Sequence, residues 1–188
     1  HWSPLLALLP QLSKRKQLDA AELPRLPQQI YPPLFAERAA NAGSEGVMAL
    51  WQELPRALRQ DATTQAAAAS ALIGLDAEPQ AQEILLDGLR RQLAAPLLTV
   101  VPQLQRPAPK LLAQLRKAEQ TGTPSAELLQ AIGILLMRQR EMEQAQAYLE
   151  RAVAQQPQAT ADRALAELME QQRLFEKANN YYRQIGTI

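Results

Sequence analysis

The chain has 188 residues, with 20 lysines and arginines against 19 aspartates and glutamates, and it contains no cysteine. This length suits one domain or a short array of repeats, and the lack of cysteine excludes disulfides, thiol catalysis and Cys-ligated metal centres. Acidic and basic residues are interleaved, so no basic surface for nucleic acid is predicted.

The composition is typical of an all-α protein. Alanine, leucine and glutamine are abundant, only 7 residues are glycine and 4% are aromatic, which favours helices over strands. The longest apolar runs fall well below the roughly 18 residues of a membrane span, and no signal-peptide pattern is present. We therefore expect this stretch of chain to be soluble.

Apolar residues three and four apart predict helices through the first half of the chain. The first runs from about Ser3 to Ser13. Four prolines follow, and they predict a break near Gln29 to Pro32 before the helix restarts. The "NAGSEG" stretch predicts a turn, with Ser44 as the N-cap of the next helix.

An alanine-rich helix is then predicted from Pro55 to about Leu75, followed by a helix from about Pro79 to Leu93. Four prolines between 94 and 109 predict an irregular connector. Five helices follow it, at about 109–120, 124–139, 141–155, 159–171 and 174–184. We divide the chain into N-terminal hairpins at 1–95, the connector at 96–109 and C-terminal repeats at 110–188.

Small residues recur at fixed positions from Ala126 onward. Gly133, Ala145 and Ala152 occupy positions 8, 20 and 27, and Pro157 occupies position 32 of a window counted from Ala126. Large residues fill the slots between them, namely Leu129, Ile132, Leu136 and Leu149. This is the tetratricopeptide pattern, in which small residues allow two helices to cross closely and proline ends the second helix.

A second repeat unit begins at Ala159 and places Ala178 at position 20, and a weaker unit places Ala81 there. The best unit therefore covers 126–157 and the next covers 159–188. We predict an all-α, tetratricopeptide-like solenoid of helical hairpins with an irregular proline-rich connector. The alternative is a plain helical bundle in which an alanine-rich chain matches the pattern by chance.

Catalytic chemistry finds little support in the residues. The single histidine is His1, so no histidine base is expected. Carboxylate pairs such as Glu167 and Glu170 are interpreted as exposed helix charges. Met137 and Met169 lie in apolar helical patterns and are interpreted as packing residues rather than haem ligands. We predict a chain that is not an enzyme and holds no metal or strongly bound cofactor.

Stacked hairpins present the first helix of each pair on a concave surface that can hold a peptide or a partner helix. We predict that this groove binds protein partners. Its candidate residues are the inward first-helix positions of the two units, namely Glu127, Gln130, Ile134, Met137, Arg138, Thr160, Arg163, Glu167, Glu170 and Gln171. Alternatively, these faces pack against further repeats or a second copy. Phe175, Tyr181 and Tyr182 would form a cap, or a docking patch if exposed.

Several blocks resemble the HemY family, tetratricopeptide proteins of the inner membrane associated with haem biosynthesis. The blocks are "WSPLLALLPQLSK", "NAGSEGVMALWQELP" and "AQEILLDGLRRQ". The resemblance implies the C-terminal half of a parent protein anchored by N-terminal membrane helices, with this part facing the cytoplasm. It also implies a scaffold for late haem-biosynthesis enzymes. Alternatives are weak haem or porphyrin binding without strong axial ligation, as a carrier or sensor, and an envelope-assembly adaptor unrelated to haem.

The name HemY is also used for an unrelated flavin-dependent protoporphyrinogen oxidase. That enzyme class requires a glycine-rich dinucleotide turn after a strand. The chain contains no G-x-G-x-x-G sequence, and the resemblance is therefore to the tetratricopeptide proteins alone.

Overall fold

The computed structural model describes residues 26–157 and 159–185, with side chains from residue 30 onward. All regular structure within these ranges is helical, which confirms the predicted fold class. The chain divides between Gly88 and Leu89 into two compact units. The predicted helix at 3–13 lies outside the described residues.

The first unit contains helices α1 to α3 and most of α4. Their bounds are Leu26–Glu53 for α1, Arg56–Arg59 for α2, Ala62–Ile73 for α3 and Glu78–Arg91 for α4. Helices α1 and α3 pack against each other. Tyr31, Leu34, Phe35 and Leu72 are among the largest side chains in this core, each at most 2% exposed, and the rings of Tyr31 and Phe35 are 6.4 Å apart.

Helix α1 continues through Pro32 and Pro33, so the predicted break near Gln29 to Pro32 is wrong. An interior proline costs a helix about 3 kcal/mol, whereas burying one large apolar side chain contributes about 1.5–3 kcal/mol. The helical path buries Tyr31, Leu34 and Phe35 together, which offsets the cost. The backbone departs from helical geometry instead at Gly43, with φ 60° and ψ −154°, inside the predicted turn.

The single helix predicted from Pro55 to Leu75 is also wrong, since the chain forms the one-turn helix α2 and then α3. Asp61 causes the division. Its Oδ2 accepts hydrogen bonds from the backbone nitrogen of Thr64 at 2.8 Å and from the Thr64 hydroxyl at 2.9 Å. A carboxylate at this position satisfies a free N–H group of the first turn and starts a new helix.

The second unit contains the end of α4 and six further helices. These are α5 (Ala95–Val100), α6 (Pro109–Gln120), α7 (Ala126–Arg138), α8 (Met142–Gln155), α9 (Ala159–Gln171) and α10 (Phe175–Ile185). Their bounds confirm the predicted C-terminal helices to within two residues. Helices α7 and α8 form one hairpin, α9 and α10 form the next, and α8 packs on α9.

The crossing of α7 and α8 explains the spacing of small residues. A Cβ atom added at Gly133 would lie 2.7 Å from Cγ of Leu149 and 3.2 Å from the carbonyl oxygen of Ala145. Ala145 and Leu149 are fully buried, and Ala152 is 1% exposed. Gly133 and Ala145 thus set how closely α7 and α8 approach, as the repeat pattern predicted.

Three interhelical turns share one backbone geometry. Asp76, Arg140 and Arg173 have positive φ of 55°, 64° and 61°. In each case the next residue donates its N–H to a carbonyl five residues earlier, as Glu141 does to Leu136 at 3.0 Å. This is the Schellman ending of a helix. Its recurrence at equivalent positions supports the repeat alignment, including the weak unit that contains Ala81.

The connector contains the six-residue helix α5 and a 3-10 turn at Val101–Gln103, followed by an irregular stretch, which confirms the predicted irregular connector and adds one short helix to it. Five of its side chains are buried, namely Leu97, Leu98, Val100, Val101 and Leu104. Both α5 and the 3-10 turn pack on α7. The four prolines do not prevent regular structure here, because the apolar side chains between them are buried where α5 and the 3-10 turn pack on α7.

Candidate protein-binding surface

The groove predicted over α7 is filled. Gln130, Ile134 and Met137 are only 5–6% exposed, so in this structure they are not available to a partner. Helix α7 contacts α5, the 3-10 turn, α6, α8 and α9, and all of its residues from 128 to 137 are buried. Of the candidates on α7, Glu127 is half-buried and Arg138 is exposed.

The candidate residues on α9 remain accessible. Thr160, Arg163, Glu170 and Gln171 are exposed, and Glu167 is half-buried. Positions 163, 167 and 170 lie three and four residues apart, so their side chains share one face of the helix. The second repeat unit therefore keeps its candidate residues at the surface, whereas the first keeps only Glu127 and Arg138 accessible.

Tyr182 on α10 joins these residues. Burial, followed by the charges of Glu170 and Glu167 and by hydrogen bonding to Glu170, raises the pKa of Tyr182, while Arg163 acts in the opposite direction. These effects require the four side chains to be near one another. We call the group formed by Arg163, Glu167, Glu170 and Tyr182 the α9–α10 surface.

An aromatic stripe extends this surface along α10. Phe175 is 61% exposed and Tyr182 is 38% exposed, and residues seven apart lie on the same face of a helix. Tyr181 is half-buried, and burial raises its pKa, with contributions from the charges of Glu150 and Asp162. Exposed aromatic rings beside polar groups are the arrangement that favours docking over a cap.

Asp162 is a buried acid that the groove prediction did not include. It is 1% exposed, its Oδ1 has no hydrogen-bond partner, and burial raises its pKa. The sequence carried a signal, because Asp162 occupies the fourth repeat position, where a large apolar residue is expected. Because Asp162 is buried, it does not belong to the accessible α9–α10 surface.

One cavity of the first unit is lined by uncharged residues alone. It measures about 430 Å³, lies between α1 and α3, and is lined mainly by alanines, together with Pro32, Ser70, Gly74 and Leu75. Within the described ranges, no group of three His, Cys, Asp or Glu side chains is placed to hold a metal ion. No helix in this part of the chain is both long and apolar enough to cross a bilayer.

Comparison with known proteins bears on the family. No family model matches the chain. Protein HemY of Escherichia coli strain K12 is 31% identical over 159 residues, covering 84% of this chain and 40% of that protein, and Protein HemY of Shigella flexneri matches to the same extent. This chain is a relative of the HemY proteins. It spans 40% of their length.

Comparison with solved structures finds several of MamA. A MamA mutant is 17% identical with a TM-score of 0.45, covering 86% of this chain and 97% of its own. MamA of MSR-1 is also 17% identical with a TM-score of 0.45, covering 85% of this chain and 95% of its own. The helical-hairpin fold is established by the chain's own helices, and the relationship to HemY is established by sequence identity.

Proposed function

We propose that this chain is a non-catalytic protein-interaction module of a HemY-like inner-membrane protein, and that it helps to organise late haem-biosynthesis enzymes. The identity to Protein HemY supports the family context. The all-helical hairpins support an interaction role, because stacked hairpins expose extended surfaces rather than enclosed reaction sites. The sole histidine, His1, leaves acid–base chemistry without its usual residue.

One observation carries the choice of surface. Arg163, Glu167, Glu170 and Tyr182 lie together on α9 and α10 and are accessible, whereas the corresponding face of α7 is buried. An arginine and a tyrosine are side chains that commonly contribute most of the binding energy at interfaces. The neighbouring carboxylates add charge complementarity, which selects partners and speeds their association.

The test is a pull-down from a membrane extract with the purified chain, comparing the parent with Arg163→Glu and with Tyr182→Ala. Lys110→Glu, which changes an exposed lysine on α6, is the matched control for charge reversal. We expect late haem-pathway enzymes to be recovered with the parent and the control, and at least about tenfold less with either variant. Circular dichroism should show equal helix content in all four proteins.

Equal recovery by all four proteins would place the interface elsewhere on the molecule. Recovery of other envelope proteins, with no haem-pathway enzyme among them, would favour the adaptor role over the haem-related one. If the parent recovers no protein above background, the interaction role itself fails for this part of the chain.

A further inference from the structure

Three basic side chains meet at a small cavity in the second unit. The cavity measures about 270 Å³ and lies between the C-terminal ends of α4 and α6. Arg90 and Arg91 come from the last turn of α4, and Lys117 comes from the last turn of α6. The cavity is distinct from the α9–α10 surface, since the two share no residue.

No carboxylate lines this cavity. Its remaining lining consists of Gln92 and Gln114, whose amide groups can donate hydrogen bonds, together with Thr121, Ala118, Leu89 and Leu93. The Thr121 hydroxyl already donates to the carbonyl of Ala118 at 2.8 Å. An anion entering the cavity would therefore meet cations and amide donors without a competing negative side chain.

The cations are only partly neutralised by the protein. Arg90 and Lys117 form no ion pair or hydrogen bond with another residue in the described ranges, whereas Arg91 does interact with another residue. Basic residues at a helix C-terminus ordinarily offset the helix dipole, which amounts to about half a negative charge per helix. Two helix ends thus offset about one positive charge, so about one of the two charges of Arg90 and Lys117 remains even with Arg91 set aside.

We propose that this cavity binds a phosphate group. Arginine presents paired N–H donors that match a phosphate in two places at once, and lysine adds a compact charge. Leu93, which is 42% exposed, forms an apolar edge of the same cavity. The ligand would thus be a phosphate that carries an organic group, either a soluble phosphate ester or the headgroup of an anionic phospholipid.

Two measurements distinguish these sources. Titration calorimetry with inorganic pyrophosphate tests the soluble ligand, and co-sedimentation with vesicles of phosphatidylglycerol, compared with phosphatidylcholine, tests the headgroup. Both are made on the parent chain, on Arg90→Gln and on Lys117→Gln. Lys110→Gln is the matched control, because Lys110 is an exposed lysine on the same helix that lies outside the cavity lining.

We expect saturable binding in at least one of the two assays, weakened about tenfold or more by Arg90→Gln and by Lys117→Gln, since each removes a charge-assisted hydrogen bond. Lys110→Gln should bind as the parent does. Pyrophosphate binding would identify a soluble ligand, and selective sedimentation with phosphatidylglycerol alone would identify the headgroup. Absence of binding in both assays, or equal weakening by the control, would overturn the proposal.

Discussion

Gly133 lies at the closest approach of α7 and α8, where even a methyl group has no space. Changing it to alanine would improve intrinsic helix propensity by about 1 kcal/mol, but overpacking a core costs about 1–3 kcal/mol. The clash involves Cγ of Leu149 at 2.7 Å and a backbone oxygen at 3.2 Å. Neither atom is the free end of a side chain, so we expect the clash to outweigh the gain.

We therefore predict that Gly133→Ala lowers the free energy of unfolding by about 1 kcal/mol, measured as a lower urea midpoint by circular dichroism. Gly122→Ala is the control, because no atom lies within 4 Å of its added Cβ, and its midpoint should be unchanged or slightly higher. A Gly133→Ala protein as stable as the parent would mean that the hairpin relaxes without cost.

Asp162 predicts a pH dependence of stability. Burial raises its pKa in the folded chain, so the folded state binds the proton more tightly than the unfolded state does. The contribution of Asp162 to the free energy of unfolding is most favourable below the pKa of about 3.9 that an aspartate has in the unfolded chain. This contribution is lost as the pH rises through the pKa of Asp162 in the folded chain. At neutral pH the buried carboxylate is therefore a net cost.

Asp162→Asn removes that ionisation while keeping the shape of the side chain. We expect a higher urea midpoint than the parent at neutral pH, and a difference that disappears below about pH 4, where the parent carboxyl is protonated. Thermal and urea unfolding across this pH range would measure it. A difference that stays constant with pH would show that the carboxyl does not titrate as its burial predicts.

At the scale of elements, two of the three Schellman turns have an arginine, Arg140 or Arg173, at the positive-φ position where glycine is favoured. The left-handed backbone costs a residue with a side chain roughly 1–2 kcal/mol, and Arg140 adopts it with φ 64°. We predict that Arg140→Gly raises the free energy of unfolding by about 1 kcal/mol. Ala147→Gly, at an exposed position within α8, should lower it by about 1 kcal/mol. Urea unfolding of both variants would show whether they shift in opposite directions.

The sequence was sufficient to locate the helices of the C-terminal repeats, because small residues, caps and helix breakers there act locally. It failed where tertiary packing outweighed local preference. Pro32 and Pro33 predict a break, yet the buried side chains of Tyr31, Leu34 and Phe35 keep α1 helical through both prolines. At Asp61 a local signal was missed. The Asp61 carboxylate caps and starts a new helix within a stretch whose composition suggested one long helix.

The candidate binding residues were only partly predictable for a related reason. The repeat pattern identifies which positions of α7 and α9 point inward, but it does not say what covers them. Gln130, Ile134 and Met137 proved to be buried in α7, while Arg163 and Glu170 are open on α9. Leucines and valines in the connector were the available signal, because an apolar run of that length rarely remains exposed.

At the scale of the whole molecule, the connector belongs to the core of the second unit rather than serving as a spacer. Leu104 is fully buried, and truncating such a leucine costs about 2–5 kcal/mol. We predict that Leu104→Ala lowers the free energy of unfolding by an amount in this range. Leu174→Ala, at a leucine that is 40% exposed, is the matched control and should cost much less. If denaturant unfolding shows that Leu104→Ala and Leu174→Ala lower the free energy of unfolding equally, the connector is a linker and not part of the core.

The packing of the connector on α7 also affects ligand binding there. A peptide directed at the part of α7 on which α5 and the 3-10 turn pack would compete with a segment tethered to the same chain, at an effective concentration that reaches the millimolar range for short tethers. Its apparent affinity would be its intrinsic affinity multiplied by the fraction of molecules in which the segment is displaced. The connector therefore competes with ligands for α7. A ligand that binds the accessible residues of α9 does not have to displace the connector.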